Sequence, residues 1–553
     1  MSEAAEDVRQ LVDRYWIRFL ELEPLFATQV GEDRFDDRLP DSSETGLAQR
    51  EQLNRAALVD LARFERPRLD LESRTALDML ESLARRQLDF VAHRLDRFWA
   101  VSHMFGSYYF GPAHLLGQLA QLQRADTPDR LDRYLTRLSA VPDYLSAIVD
   151  VMDEAVNENQ TAPAIVVERT VDMVKGLLQT SPEESPAMEP LRSAPARERG
   201  RAIEVIRERV LPAFGAYLDG LNRYRPAARD SIGLSALPAG EEIYAAEILG
   251  WTTLAMAAAE LHELGREELA LVQGERWQVA HGLGFDGPEA ALAAHVAAGG
   301  DTPGSRQSVL DLARDQVQRS WDAAPEFFGR VPLENCKVRP VEEYLEKHVM
   351  DYYLSPTEDG SRPGIFYVNT APRPLHSLAT TTYHETNPGH HFQAMIDLES
   401  PERAPIRRHG NELQGLAFSE GWGLYSERLA DEMGLFRDDY ERLGMLELQA
   451  LRAARLVVDT GIHALGWSRD QARALLEETG LPDWKAAAEV DRYIAMPGQA
   501  LSYKLGQLEI ERLRRERVRA DEGRESLRGF HDRLLSLGAL PLLTVRREMG
   551  GDA

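Results

Sequence analysis

The residues best equipped for chemistry lie in Thr380–Gln393, TTTYHETNPGHHFQ, where His384, Glu385, His390 and His391 fall close together. Imidazoles are ready ligands for Zn²⁺, and a glutamate beside such a centre can take a proton from a water held there. In the HExxH arrangement the two histidines sit four apart on one helical face. Here the fourth residue after His384 is Pro388, and the next histidines are His390 and His391. On an ideal helix His390 lies roughly 120° off the face of His384 and about 9 Å further along, while His391 regains the face about 10.5 Å away. Neither pair can share an ion through Zn–N bonds of about 2.0–2.1 Å. Pro388 removes an amide donor and clashes with the preceding turn, and Gly389 loosens the backbone, so the helix is expected to bulge there. A bulge that absorbs two residues returns His390 to the place of the second ligand. The alternative is a helix terminus decorated with surface histidines.

Two histidines and a water hold a metal poorly, so a third ligand is needed. LAFSEGWGLYSERLADEMG (Leu416–Gly434) reads as a helix with Glu420 and Glu427 two turns apart on one face. Phe418, Trp422, Leu424 and Tyr425 flank them, and a carboxylate among such residues is costly to bury unless it is paired or bound to metal. Glu420 is the expected third ligand, with Glu427 suited to accept from a histidine's second N–H, as His391 also suits the surroundings of the ion. Ordinary salt bridges to Arg428, Arg407 or Arg408 are the competing reading. Further on, Arg455, Asp459 and His463 recur at four-residue steps on one face of an apolar helix, either as site groups or as a structural ladder. After the Pro497–Gly498 turn, Gln499 and Tyr503 share a helical face. A tyrosine hydroxyl there can donate to an oxyanion, or simply cap a core.

The elements that must position these groups are helices. Apolar residues recur at helical spacing from Ala4 to Glu21 (Val8, Leu11, Val12, Tyr15, Trp16, Phe19, Leu20). Similar patterns cover Thr45–Phe64, Leu71–Asp96, Thr127–Asn157, Ala164–Gln179 and Glu198–Tyr224, and the alanine-rich tract Pro288–Ala298 reads as a packed helix. Strand-like alternation is scarce. The exception is SRPGIFYVNT (Ser361–Thr370), a short strand before the HE segment. As an edge strand it can pair with a substrate backbone and offer Tyr367 and Asn369, or it can serve packing alone. The fold class expected is mainly α, one unit over residues 1–553, with a subdivision into 1–225 and 240–553 at the Pro/Gly-rich stretch near Pro226–Gly240.

Composition narrows the functions. The 553 residues carry 64 Lys plus Arg against 90 Asp plus Glu, a formal charge of −26. So acidic a surface repels nucleic acid and anionic membranes. No apolar run is long enough to span a bilayer. The acidic, helical start lacks the pattern of a secretory signal, and a lone Cys336 excludes an internal disulfide, so a cytoplasmic location is expected.

YHETNPGHHFQ, FSEGWGLYSERL, RLVVDTGIHALGW and PGQALSYKLG, in this order, resemble a large bacterial family of unknown function placed among the zincin-like metallopeptidases. Asp359–Thr370 and Gly240–Gly265 resemble it too, so the likeness covers most of the chain. The family's His-Glu-x-x-Pro-Gly-His-His and Glu-Gly-Trp-x-Leu-Tyr fall on His384, Glu385, Pro388, Gly389, His390, His391 and on Glu420, Gly421, Trp422, Leu424, Tyr425. Asn387 departs from it, standing where an apolar residue is frequent. The family is similar in turn to the helical Glu-zincins, including carboxypeptidase Taq, angiotensin-converting enzyme and the thimet-type oligopeptidases. Dipeptidyl-peptidase III resembles this chain in its lengthened zinc motif. The resemblance implies a helical zincin-like shell around a deep channel with one Zn²⁺ at its base. It implies His384, His390 and Glu420 as ligands, Glu385 as general base and Tyr503 near the catalytic centre; Tyr503, with His463, is the expected oxyanion donor. Arg407, Arg455, Gln499 and Lys504 are expected to bind substrate, and His391, Glu427 and Asp459 to support the ligands. The expected activity is hydrolysis of peptide or amide bonds in small peptides. The alternatives are a hydrolase or lyase acting on a non-peptide amide, a metal-dependent enzyme using another ion, and a non-catalytic helical protein that binds peptides.

Overall fold

The computed structural model describes residues 2–104, 111–341, 346, 350–358, 360, 362–518 and 523–550. Helices dominate, and among the described residues the strands form one small sheet. The chain divides into two compact units, Met1–Ala246 with Asp491–Met496 and Glu247–Val490 with Pro497–Ala553.

In the first unit the opening helix, Glu3–Leu22, is capped by the Ser2 side chain, which accepts from the Ala5 amide. It buries the apolar stripe that its spacing marks, Val8 to Leu20. Two helices expected as continuous are interrupted. The Thr127–Asn157 stretch forms Pro128–Ser139 and Val141–Asn157, with Pro142 just inside the second helix. A π-turn at Ile206–Val210 separates Ala196–Val205 from Leu211–Tyr224, and Pro212 follows it. In each case a proline lacks the amide that the preceding turn requires and crowds its carbonyl. The core closes on Tyr134, Leu138, Val141, Phe214 and Tyr217. Buried Arg137 is held by Thr28 at 2.9 Å, Gln123 at 2.8 Å and the Phe35 carbonyl at 2.7 Å.

The second unit carries the chemistry-bearing segments. Its sheet comprises β1 (Lys337–Pro340), β2 (Tyr352–Leu354) and β3 (Ile365–Val368) in the order β1-β3-β2. β3 pairs parallel with β1 and antiparallel with β2. This corrects one expectation. The strand read from Ser361–Thr370, of which Ser361 lies outside the described residues, is the central strand, so both its edges are occupied and it has none to offer a substrate backbone. Phe366 and Val368 pack with Val309, Ala313, Val317 and Leu378, which seats the sheet against the start of the HE helix.

That helix is Leu378–Glu385, and it restarts as His390–Leu398. Leu416–Glu432 packs on it and on Ser502–Arg517, while Ala258–Gly282 and Asp439–His463 lie along one another. Glycines set the closest approach. A Cβ on Gly421 would stand 2.2 Å from the Gly506 carbonyl carbon, and one on Gly506 would stand 1.8 Å from the Ala417 oxygen. No helix among the described residues is long and apolar enough to cross a membrane.

Candidate metal centre

The break in the HE helix has a defined hydrogen-bond pattern. Thr386 N–H still reaches back four residues to the Thr382 carbonyl at 2.9 Å. Gly389 N–H then donates to the Tyr383 carbonyl at 3.1 Å, and Phe392 N–H to that of Thr386 at 3.2 Å, each spanning six residues rather than four. The ladder therefore takes up two extra residues and resumes. The Asn387–Pro388 peptide is cis. Buried Trp422 donates its indole N–H to the Pro388 carbonyl at 2.8 Å, tying the bulge to the Leu416–Glu432 helix. Asn387, polar where an apolar residue was expected, is buried and donates to Asn335 at 2.8 Å.

The bulge brings His390 back beside His384, with ring centroids 4.6 Å apart and planes at 87°. Glu420 Oε2 lies 3.7 Å from His384 Nε2 and 3.4 Å from His390 Nε2. Tetrahedral ligands at bonds of about 2.0–2.1 Å are separated by about 3.4 Å, so the three atoms fit one ion. Among the described residues this is the one group of three or more His, Cys, Asp or Glu that could hold a metal. Glu427 accepts from His384 Nδ1 at 2.8 Å, which leaves Nε2 as the free ligand nitrogen. The electrostatics agree with a site built for a cation. Burial alone depresses a His384 imidazolium, but the Glu420 and Glu427 carboxylates outweigh it and push its pKa up to about 9. Glu420 is held well below the usual carboxylate range, burial being overcome by its hydrogen bonds to His384 and His390.

Glu385, next to the first ligand, is half-buried and belongs to no such pair. Among the described residues its carboxylate has no hydrogen-bond or ion-pair partner. Burial pushes its pKa up, against the pull of His390 and His384. His391 faces elsewhere. Its Nε2 lies 2.9 Å from the Glu334 carbonyl and its Nδ1 3.0 Å from the Tyr353 hydroxyl, so Nε2 donates and Nδ1 accepts, and the residue joins β2 to the restarted helix. Burial drives its pKa down to about 4.

The other expected site residues are engaged as follows. Arg455 stacks over the Tyr503 ring at 4.5 Å and pairs with Glu489 at 2.9 Å. Asp459 accepts from the Gly498 amide at 3.0 Å, fixing the turn that leads to buried Gln499, while His463 is buried in the last turn of the Asp439–His463 helix. Arg407 is buried and donates to the Leu537 carbonyl. Lys504 is buried with Nζ 3.5 Å from Gln449 Oε1 and 3.9 Å from Glu268. Tyr367 stacks on Tyr352 at 4.9 Å. Asn369 holds its own loop, donating to the Glu346 carbonyl at 2.8 Å and accepting from Ala371 N–H at 3.0 Å.

Two positions to which the sequence reading gave no role in the site complete the centre. Trp422 holds the bulge, and Gly423 makes room for the first ligand. A Cβ on Gly423 would stand 2.7 Å from His384 Cε1 and 2.8 Å from Nε2. The signal was available in principle, since two glycines within three residues of a helix interior call for close neighbours. Gly423→Ala is expected to push the imidazole aside and weaken any metal binding at this group on the order of tenfold or more, measured by chelator competition. Wild-type affinity in that variant would show that the ring has slack.

The model of a bacterial protein family of unknown function, DUF885, matches residues 24–549. No curated protein matches the sequence. The crystal structure of a candidate lipoprotein from Colwellia psychrerythraea is similar with a TM-score of 0.89 at 24% identity, covering 99% of each chain. A candidate lipoprotein of unknown function from Shewanella oneidensis gives 0.70 at 19% identity, covering 99% of this chain and 100% of its own. At these identities the likeness speaks for the fold. A candidate oligoendopeptidase F from Bacillus anthracis strain Ames covers 92% of both chains at 13% identity with a TM-score of 0.34, too low to carry an argument.

Proposed function

This chain belongs to the bacterial family of unknown function DUF885, and from that premise we propose that it is a zinc-dependent hydrolase of peptide or amide bonds in small peptides. The observation that carries the reading is the meeting of His384, His390 and Glu420 beside Glu385, whose carboxylate has no hydrogen-bond or ion-pair partner among the described residues. Bound there, Zn²⁺ supplies a Lewis acid that polarises a carbonyl and makes a water more acidic. Glu427 keeps the His384 ring turned with Nε2 toward Glu420, as a ligand to the ion would need. Glu385 takes a proton from the attacking water and returns it to the departing amine nitrogen, the work of a general base and then a general acid. The desolvation that raises its pKa makes it the stronger base when ionised. We assign the oxyanion-donor role to Tyr503, whose ring Arg455 pins in place, with His463 assisting. We read the compartment as cytoplasmic, which the lone Cys336 supports.

The test is metal analysis of the purified full-length chain, joined to mass-spectrometric readout on a mixed peptide library. About one zinc per chain is expected, with cleavage that a chelator stops and added zinc restores. Zinc without any peptide cleavage turns the reading toward a non-peptide amide. A chain that takes up no zinc, or cleavage indifferent to chelator, ends it.

A further inference from the structure

The carboxylate that meets His384 Nδ1 is itself held by a further side chain. Glu427 is wholly buried and uses one oxygen to accept from His384 Nδ1 at 2.8 Å. Its other oxygen accepts from Gln449 Nε2, also at 2.8 Å. Gln449, on the Asp439–His463 helix, is itself wholly buried. Its NH₂ donates a second bond to the Leu424 carbonyl at 3.0 Å. Its oxygen faces two donors, Gln507 Nε2 at 3.0 Å and Lys504 Nζ at 3.5 Å. Turning the amide over would set a carbonyl against two acceptors and an NH₂ against two donors, so its neighbours allow one orientation. The Arg452 guanidinium lies 3.7 Å from the Glu427 oxygen that His384 uses. It supplies charge but leaves the second oxygen to Gln449.

We propose that Gln449 is a positioning residue for the metal centre. By donating to Glu427 it fixes the carboxylate that selects the Nδ1–H form of His384 and so presents Nε2 to the ion. Gln507 and Lys504 fix Gln449 in turn, which gives Lys504 a structural task. The inference rests on the zinc reading above.

The experiment measures the zinc dissociation constant by chelator competition, and the melting temperature with and without zinc, in the full-length chain. Gln449→Met, which keeps the bulk and removes the donor, is expected to weaken zinc roughly 10- to 100-fold. Gln449→Glu, which sets a carboxylate against a carboxylate and a carbonyl, is expected to weaken it further. On a Glu427→Gln background Gln449→Met is expected to add little, because the route runs through Glu427. A role confined to packing would lower both melting temperatures alike and leave the dissociation constant untouched. An unchanged constant in Gln449→Met, or losses that add in full in the double variant, overturns the proposal. If Gln449→Met does not fold, Gln507→Met withdraws one of the two donors on the Gln449 oxygen. A smaller loss in the same direction is then expected, and no loss overturns the proposal. A wild-type chain that binds no zinc ends both readings, whereas normal wild-type binding with an indifferent Gln449 ends this one alone.

Discussion

Glu385→Gln is expected to retain its zinc and lose turnover by at least about 10²- to 10⁴-fold, the range that a positioned general acid–base group contributes. The two expectations separate because Glu385 stands outside the ligand group of His384, His390 and Glu420. The amide has the shape of the carboxylate but cannot accept a proton from water at neutral pH. Folding should hardly notice the change. The carboxylate makes no hydrogen bond or ion pair among the described residues, and burial already disfavours its charge. Removing a desolvated, unpartnered charge does not destabilise a fold as breaking a buried pair does. Elemental analysis, a melting curve and kcat on a library-derived peptide decide the matter together. Full activity in the variant would refute the general-base role. Lost zinc would instead place Glu385 among the groups that hold the ion.

The helical fold and the heart of the centre could be read from the sequence because both rest on local chemistry. The apolar stripe from Val8 to Leu20 is buried as its spacing predicts, and the Pro388–Gly389 pair supplies a local reason for the bulge. Where continuity was overestimated, at Ala140 and at Ile206–Val210, the cause was equally local: Pro142 and Pro212 stand just inside the helices that follow. The parts that stayed hidden are tertiary. A helical residue two turns from Glu420 can be named from spacing. A two-residue bulge points to His390 as the second ligand, but the contact that holds His391 elsewhere, through the Tyr353 hydroxyl, needs the folded chain. No pattern near Gln449 announces that its amide will meet Glu427, and none near Trp422 that its N–H will reach the Pro388 carbonyl. Arg407 and Lys504 read as cations able to clamp a substrate carboxylate, and charge type alone does not announce that each is buried beside an oxygen of the chain's own. The pairing of β3 on both sides was likewise invisible in a stretch of β-branched and aromatic residues that suits an edge or a centre equally.

His384→Ala is expected to empty the centre. This residue contributes more than one of three donor atoms. Its Nε2 faces Glu420 at 3.7 Å, and its Nδ1 carries the orienting influence of Glu427 at 2.8 Å into the site. Without it, His390 and Glu420 remain as two ligands on a site whose supporting carboxylate touches neither through a hydrogen bond. Two protein ligands are fewer than catalytic zinc sites use. The loss should therefore exceed the roughly 10- to 100-fold cost of removing a residue that only orients a ligand. That makes Glu427→Gln the internal comparison: it keeps all three donor atoms and should bind zinc weakly, while His384→Ala should return nearly metal-free from purification. The fold has reason to survive, because Glu427 keeps Gln449 at 2.8 Å and Arg452 at 3.7 Å as partners for its buried charge. Elemental analysis beside a melting curve reads both points. Stoichiometric zinc in a folded His384→Ala chain would strike His384 from the ligand set, and with it the argument that the two-residue bulge exists to bring His390 back to its side.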